Sequence, residues 1–148
     1  MPMTRIEPAL DSDRPAIEGL LSEGGLPLDG LEIALRTAVV ARDEVGKRAV
    51  VGCAAVEPYG SVGLLRSVCV APDLRGMGLG RGLVDAAESL AASRGITELY
   101  LLTETAAAWF PRLGYVPTTR AALPMALAAS PEVAGACPQS AAVFHKRL

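Results

Sequence analysis

Residues 66–83 read RSVCVAPDLRGMGLGRGL: strand formers, a proline, then glycine at every second position from Gly76 to Gly82, running into a long helical periodicity. Glycine is a poor residue with which to begin a helix, since each one inside it costs roughly 0.5–1 kcal/mol relative to alanine. What the glycines provide is access. The first turn of a helix carries four N–H groups without intrahelical acceptors, at the positive end of the helix dipole. A phosphate reaches those groups closely only where no Cβ stands in the way. The stretch therefore predicts a strand, a phosphate cradle and a helix in direct succession, with Arg75 and Arg81 beside the cradle.

Two familiar phosphate loops do not fit. No Gly-Lys-Ser/Thr closes the stretch, and a G-x-G-x-x-G pattern counted from Gly76 meets Arg81 where its last glycine belongs. The helix that follows is predicted over 78–93. Leu79, Leu83, Ala86, Ala87, Leu90 and Ala91 share one face, Asp85 and Glu88 lie off it, and Gly95 ends it.

The remaining elements follow from the same rules. TRIEPAL (4–10) reads as a strand, and DSDRPAIEGLLSEGG as a helix capped by Asp11 or Ser12 and ended by Gly24 and Gly25. LPLDGLEIALR is either a loop or a short helix. TAVVAR (37–42) and RAVVGCAAVE (48–57) form a hairpin about DEVGK, with Glu57 closing the second strand. A strand over 62–71 is stopped by Pro72, ITELYLLT (96–103) is another, TAAAWFPRL is a short helix ended by Gly114, and AAVFHKRL is a final strand. The alanine- and proline-rich segment 121–140 has no readable periodicity beyond one or two helical turns in LPMALAAS. This order predicts an α/β (α+β) domain spanning 1–148, with a mixed sheet and helices packed on it.

A formal charge of -2 offers no basic field to hold nucleic acid or an anionic membrane, so an anionic ligand must be met by a local site. Cys53, Cys69 and Cys137 form no C-x-x-C pair, which points to buried thiols, a reducing compartment and no metal. The start of the chain lacks an apolar targeting core, so a cytoplasmic location is expected.

The hexapeptide Arg75-Gly76-Met77-Gly78-Leu79-Gly80, with the strand and the Ala-Pro before it, resembles the Gln/Arg-x-x-Gly-x-Gly/Ala motif of the GNAT superfamily of acyl-CoA-dependent N-acetyltransferases. AAAWFPRLGY is similar to the later helix-Gly-aromatic unit of that family, and the element order agrees along the chain. The resemblance implies the GNAT fold, a mostly antiparallel mixed sheet flanked by helices, and acetyl-CoA as co-substrate. It implies a pantetheine arm beside Val68, Cys69 and Val70, one of whose main-chain N–H groups serves as oxyanion donor. It also implies a diphosphate held between Arg75 and Arg81, including Met77 and Leu79, with Phe110 and Arg112 beside it. LLRSVCVAP, YLLTETAAAWFPRLGY and CPQSA further resemble short GNAT proteins encoded with arsenic-resistance genes, whose relatives acetylate toxic amino-acid analogues such as arsinothricin and phosphinothricin. GNAT enzymes are often dimers, which implies a possible homodimer here.

Acetyl transfer to an amine needs a proton acceptor for the amine, an oxyanion donor and a proton for the thiolate. Glu57 is the expected base, at a strand end beside the cofactor strand, and Glu104 is its rival. Thr103 and Thr105 either bond substrate or cofactor, or cap a helix. The family's Tyr-x-x-x-Gly-Phe pattern has Phe110 in place of its tyrosine, leaving water, Tyr59 or Tyr115 as proton donor. Arg66, inside an apolar strand, either clamps an anion of the acceptor with Ser67 as helper or pairs with Glu57. The acceptor is a small amine; a protein N-terminus, a lysine or a polyamine are alternatives. A catalytically silent acyl-CoA sensor would keep the cradle and lack a working base.

Overall fold

The computed structural model describes residues 3–148. Seven strands, Thr4–Pro8 (β1), Ala38–Asp43 (β2), Val50–Tyr59 (β3), Val62–Val70 (β4), Glu98–Thr103 (β5), Val116–Thr118 (β6) and Ala142–Arg147 (β7), form one sheet in the order β1-β2-β3-β4-β5-β7-β6. Only β4 and β5 pair in parallel; the other neighbours are antiparallel. The helices are Arg14–Glu23 (α1), Leu31–Ala34 (α2) and Leu79–Ser93 (α3).

Alternation along the central strands explains why they are apolar throughout. Val39, Ala41, Ala54 and Val56 face α3, where Leu83, Val84, Ala87 and Ala91 complete a core. Val40 and Cys53, on the opposite face, meet Ile17 and Leu21 of α1 and Leu31 of α2. Successive strand residues serve successive layers, so a sheet covered on both sides needs hydrophobic residues at every position.

Four boundaries differ from the sequence expectation. β3 continues two residues past Glu57, with Pro58 opposite Gly63 and Tyr59 opposite Val62, and reverses at Gly60 with φ of +69°. A proline this close to a hairpin end disturbs little of the ladder, so Glu57 lies within the strand pair and not at its tip. The helix expected over 105–113 contracts to a 3-10 turn, Phe110–Leu113, because Pro111 removes a donor and restricts its neighbour. β6 was hidden by its proline and its three-residue length. At the start of α1 neither Asp11 nor Ser12 caps. Asp13 instead accepts the Leu10 N–H at 2.8 Å and two bonds from Arg42, at 3.0 and 2.8 Å.

The segment between β6 and β7 is a strap of short turns over the sheet, Arg120–Ala122, Met125–Ala129 and a single π turn Glu132–Ala136. Leu127 anchors it against Leu64, Leu102 and Val143. Arg120 closes it by donating to the carbonyls of Val133 and Cys137 at 3.2 Å and Pro138 at 2.7 Å. The Leu127 anchor, short backbone turns and the Arg120 bonds to carbonyls, not periodicity, hold this segment together.

Candidate active site

β4 and β5 share a ladder only at Val62–Leu64 and Glu98–Tyr100; beyond it both strands continue without pairing to each other. A bulge in β4 accompanies the separation. Cys53 faces Cys69 and Ala55 faces Arg66, so Ala54 opposes both Ser67 and Val68, and Ser67 adopts a left-handed φ of +58°. Such an insertion bends and twists its strand. A cleft of ≈ 880 Å³ lies between the separated strands, walled by Leu65–Val70 of β4 and Leu101–Thr103 of β5.

The glycine turn and the start of α3 form one end of this cleft. Gly76 and Gly78 have φ of +82° and +79°, and a Cβ on either would meet nothing within 4 Å. The N-terminus of α3 has no side-chain cap and no acidic residue in its first turn, so its N–H groups and its dipole are unopposed. Arg75, Arg81 and Arg112 are exposed and line the cleft, with Arg75 donating to the Val70 carbonyl at 3.2 Å. The other two glycines have a different purpose. A Cβ on Gly80 would lie 3.3 Å from the Trp109 ring, and one on Gly82 3.0 Å from Ile6, so these positions admit close packing and clear no path for phosphate. Leu79 lines the cleft, whereas Met77 turns to a separate hollow of ≈ 400 Å³ beside Thr4 and Ile6.

At the other end Arg66 is fully buried. Its guanidinium donates to Glu57 at 2.6 Å, to the Pro27 carbonyl and the Ser67 hydroxyl at 3.0 Å each, and to the Asp29 carbonyl. It also pairs with Glu132 at 3.2 Å. Of the two readings of Arg66, pairing with Glu57 is what the structure has; every face of the guanidinium is engaged. Glu57 is 0% exposed, accepts the Tyr59 hydroxyl at 2.7 Å and is not part of the cleft wall, contrary to its expected place at an open strand end. Burial and the neighbouring Glu57 carboxylate push the Tyr59 phenol up, so it holds its proton.

Tyr115 likewise does not line the cleft. Its hydroxyl donates to Glu88 of α3 at 2.8 Å, and burial with that carboxylate raises its pKa well above the usual phenol value. Phe110 is buried but part of the cleft lining, edge-on to Trp109 at 4.9 Å and to Tyr115 at 5.6 Å. Thr103 accepts the Ala106 N–H at 3.0 Å, closing a local turn and not capping a helix, since none begins there, while Glu104 and Thr105 are exposed at the cleft. The thiols are protonated packing groups: burial pushes Cys53 up to about 12, raises Cys69, and with Glu132 pushes Cys137 up to about 12. Among the described residues no cluster of His, Cys, Asp and Glu is arranged to hold a metal. No helix there is long and apolar enough to cross a membrane.

The loop after α1, Leu65, Leu101 and Leu102 are among the cleft residues that escaped sequence reasoning, and two others matter most. Trp109 lies against Gly80, and its place could have been found from the aromatic pair before Gly114. Glu132, on the strap, is 4% exposed and lines the cleft; nothing in a segment without periodicity marks it. Burial raises its carboxyl pKa, opposed by Arg66.

Comparison with known proteins agrees with this architecture. The Neisseria gonorrhoeae N-acetylglutamate synthase complexed with coenzyme A and N-acetyl-glutamate superposes with a TM-score of 0.81, over 100% of this chain and 36% of that one, at 22% identity. A Mycobacterium tuberculosis protein in complex with CoA gives 0.75 over 97% and 99% of the two chains, at 23% identity. In sequence, the amino-acid acetyltransferase of Ralstonia nicotianae is 39% identical over 75 residues, 49% of this chain and 17% of that protein. That of Serratia proteamaculans is 32% identical over 77 residues, 51% and 18%. The chain therefore spans under a fifth of the length of these two relatives. Residues 35–117 match the family model described as Acetyltransferase (GNAT) domain, and with the splayed β4 and β5 and the glycine turn before α3 this places the chain in the GNAT acetyltransferase family.

Proposed function

We propose that the chain is an acetyl-CoA-dependent N-acetyltransferase that transfers acetyl directly to the amino group of a small molecule, with no covalent enzyme intermediate. One observation carries this reading. An uncapped helix N-terminus behind two left-handed glycines opens into a cleft along a strand edge, and Arg75, Arg81 and Arg112 line that cleft. Those residues fit a nucleotide diphosphate with a long amide-bearing arm. The co-substrate supplies an acetyl group activated as a thioester. The first-turn N–H groups of α3 hold the diphosphate, and β4 beyond Leu64 offers main-chain partners to the arm. A main-chain N–H among Val68, Cys69 and Val70 polarises the carbonyl. Leu65, Leu101 and Trp109 keep the arm dry.

An amino acid is the favoured acceptor class. Two relatives are amino-acid acetyltransferases, and the Neisseria neighbour holds N-acetyl-glutamate. Toxic analogues such as phosphinothricin and arsinothricin fall within that class, and the likeness of LLRSVCVAP and CPQSA to arsenic-linked proteins supports them. Three buried, unpaired thiols favour work in the reducing cytoplasm. A silent acyl-CoA sensor is the second reading, favoured by Phe110 at the position of the family's tyrosine. The test is acetyl-CoA binding by calorimetry, then thiol release with phosphinothricin, L-glutamate, L-methionine and spermidine. Binding with turnover of an amino acid supports transfer; binding without turnover of any supports the sensor; no binding overturns both.

A further inference from the structure

The buried charges behind the cleft do not balance. One guanidinium, Arg66, lies between two carboxylates, Glu57 at 2.6 Å and Glu132 at 3.2 Å, with side chains 0–5% exposed. Glu57 also takes the Tyr59 hydroxyl and is sealed from the cleft, whereas Glu132 lines it. Beyond Arg66, the Glu132 carboxylate has among the described residues only the Cys137 thiol, at 3.5 Å, a weak donor. A buried carboxylate with spare acceptor capacity and excess negative charge beside it lacks a cation. The cleft is the route by which one arrives.

We propose that Glu132 meets the ammonium group of the acceptor and takes its proton, with Arg66 as the residue that positions it. This rests on the acetyl-transfer reading above. The ammonium gives one proton to a Glu132 oxygen, and the freed lone pair forms a C–N bond at the thioester carbonyl carbon. The C–S bond breaks as the carbonyl re-forms, the nitrogen's second proton passes to the leaving thiolate, and Glu132 returns its own proton to water when product departs. Arg66 fastens three elements around the amine: β4, which carries it; the loop after α1, through the carbonyls of Pro27 and Asp29; and the strap, through Glu132. The charged and titratable groups facing Glu132 are Arg66 from β4, Glu57 from β3, Asp29 from the loop and Cys137 from the strap itself. Their sum, with burial, sets the carboxyl above the ordinary range, suited to accept a proton.

The experiment compares Glu132→Gln with the wild type on two kinds of nucleophile. Phosphinothricin and L-glutamate are protonated at neutral pH; hydroxylamine is not and needs no base. Loss of the base predicts thiol release with the amino acids lower by about 10²-fold, the acid limb of their pH profile abolished, hydroxylamine turnover retained, and calorimetric acetyl-CoA binding unchanged. A second readout needs no turnover. The Glu132 carboxyl ¹³C signal, assigned by its absence in E132Q, titrates above the ordinary carboxylate range and moves when phosphinothricin is added. If E132Q does not fold, Glu132→Asp replaces it, with the same split expected. Equal losses on both nucleophiles with acetyl-CoA binding intact, or a carboxyl signal indifferent to phosphinothricin, overturn the assignment. A wild type that binds acetyl-CoA and acetylates neither the amino acids nor hydroxylamine overturns the transfer reading itself, and this one with it.

Discussion

Gly76 and Gly78 hold φ near +80° with open space where a Cβ would be, while Gly80 and Gly82 have ordinary φ and a neighbour within 3.3 Å. Alternate glycines in the sequence thus answer two demands, backbone handedness before the helix and close packing within it. Gly78→Ala should cost about 1–2 kcal/mol in urea unfolding through its left-handed backbone and also weaken acetyl-CoA in calorimetry, since the new methyl stands at the helix mouth. Glu57 makes the opposite point. Its chemistry was read from a supposed strand end; the strand runs on to Tyr59, and the carboxylate became the buried partner of Arg66. Glu57→Gln should lower unfolding free energy by about 3 kcal/mol, as breaking a buried pair does, with acetyl-CoA affinity unchanged.

Each element owes its form to a few residues that pin it. α3 was legible end to end because its apolar stripe, its glycine start and Gly95 are local signals. α1 was legible in extent but not in its fastening, where Asp13 reaches Leu10 and, across the sheet face, Arg42 of β2. The Arg42 bonds, and then the Leu10 N–H, hold the Asp13 carboxyl below the usual carboxylate range against the effect of burial. Since the folded pKa is depressed, the stabilisation is complete above the unfolded value and is lost as pH falls through the folded one. Asp13→Asn should cost about 1–3 kcal/mol at neutral pH, and its urea midpoint should fall less than the wild type's below about pH 4. The bulge at Ser67 was unreadable: nothing in RSVCV marks an inserted residue, and only the register against β3 shows it.

At the scale of the whole molecule the cleft joins parts distant in the chain, the loop after α1, β4, β5, the start of α3 and the strap. A ligand spanning them stabilises the folded state by mass action, about 2.7 kcal/mol at a hundred times its dissociation constant, so acetyl-CoA should raise the melting temperature in a concentration-dependent way. Trp109, the single tryptophan, lies on the cleft wall, and its fluorescence should change over the same titration. By itself the sequence determined the strand–turn–helix unit, the mixed sheet and the glycine turn before α3, because periodicity, glycine and proline act on residues within a turn or two of one another. Only the tertiary structure decided which charges are paired. Arg66 meets Glu57 nine residues away and Glu132 on a strap with no pattern of its own. A carboxylate's role depends on the partners and the water that folding leaves it.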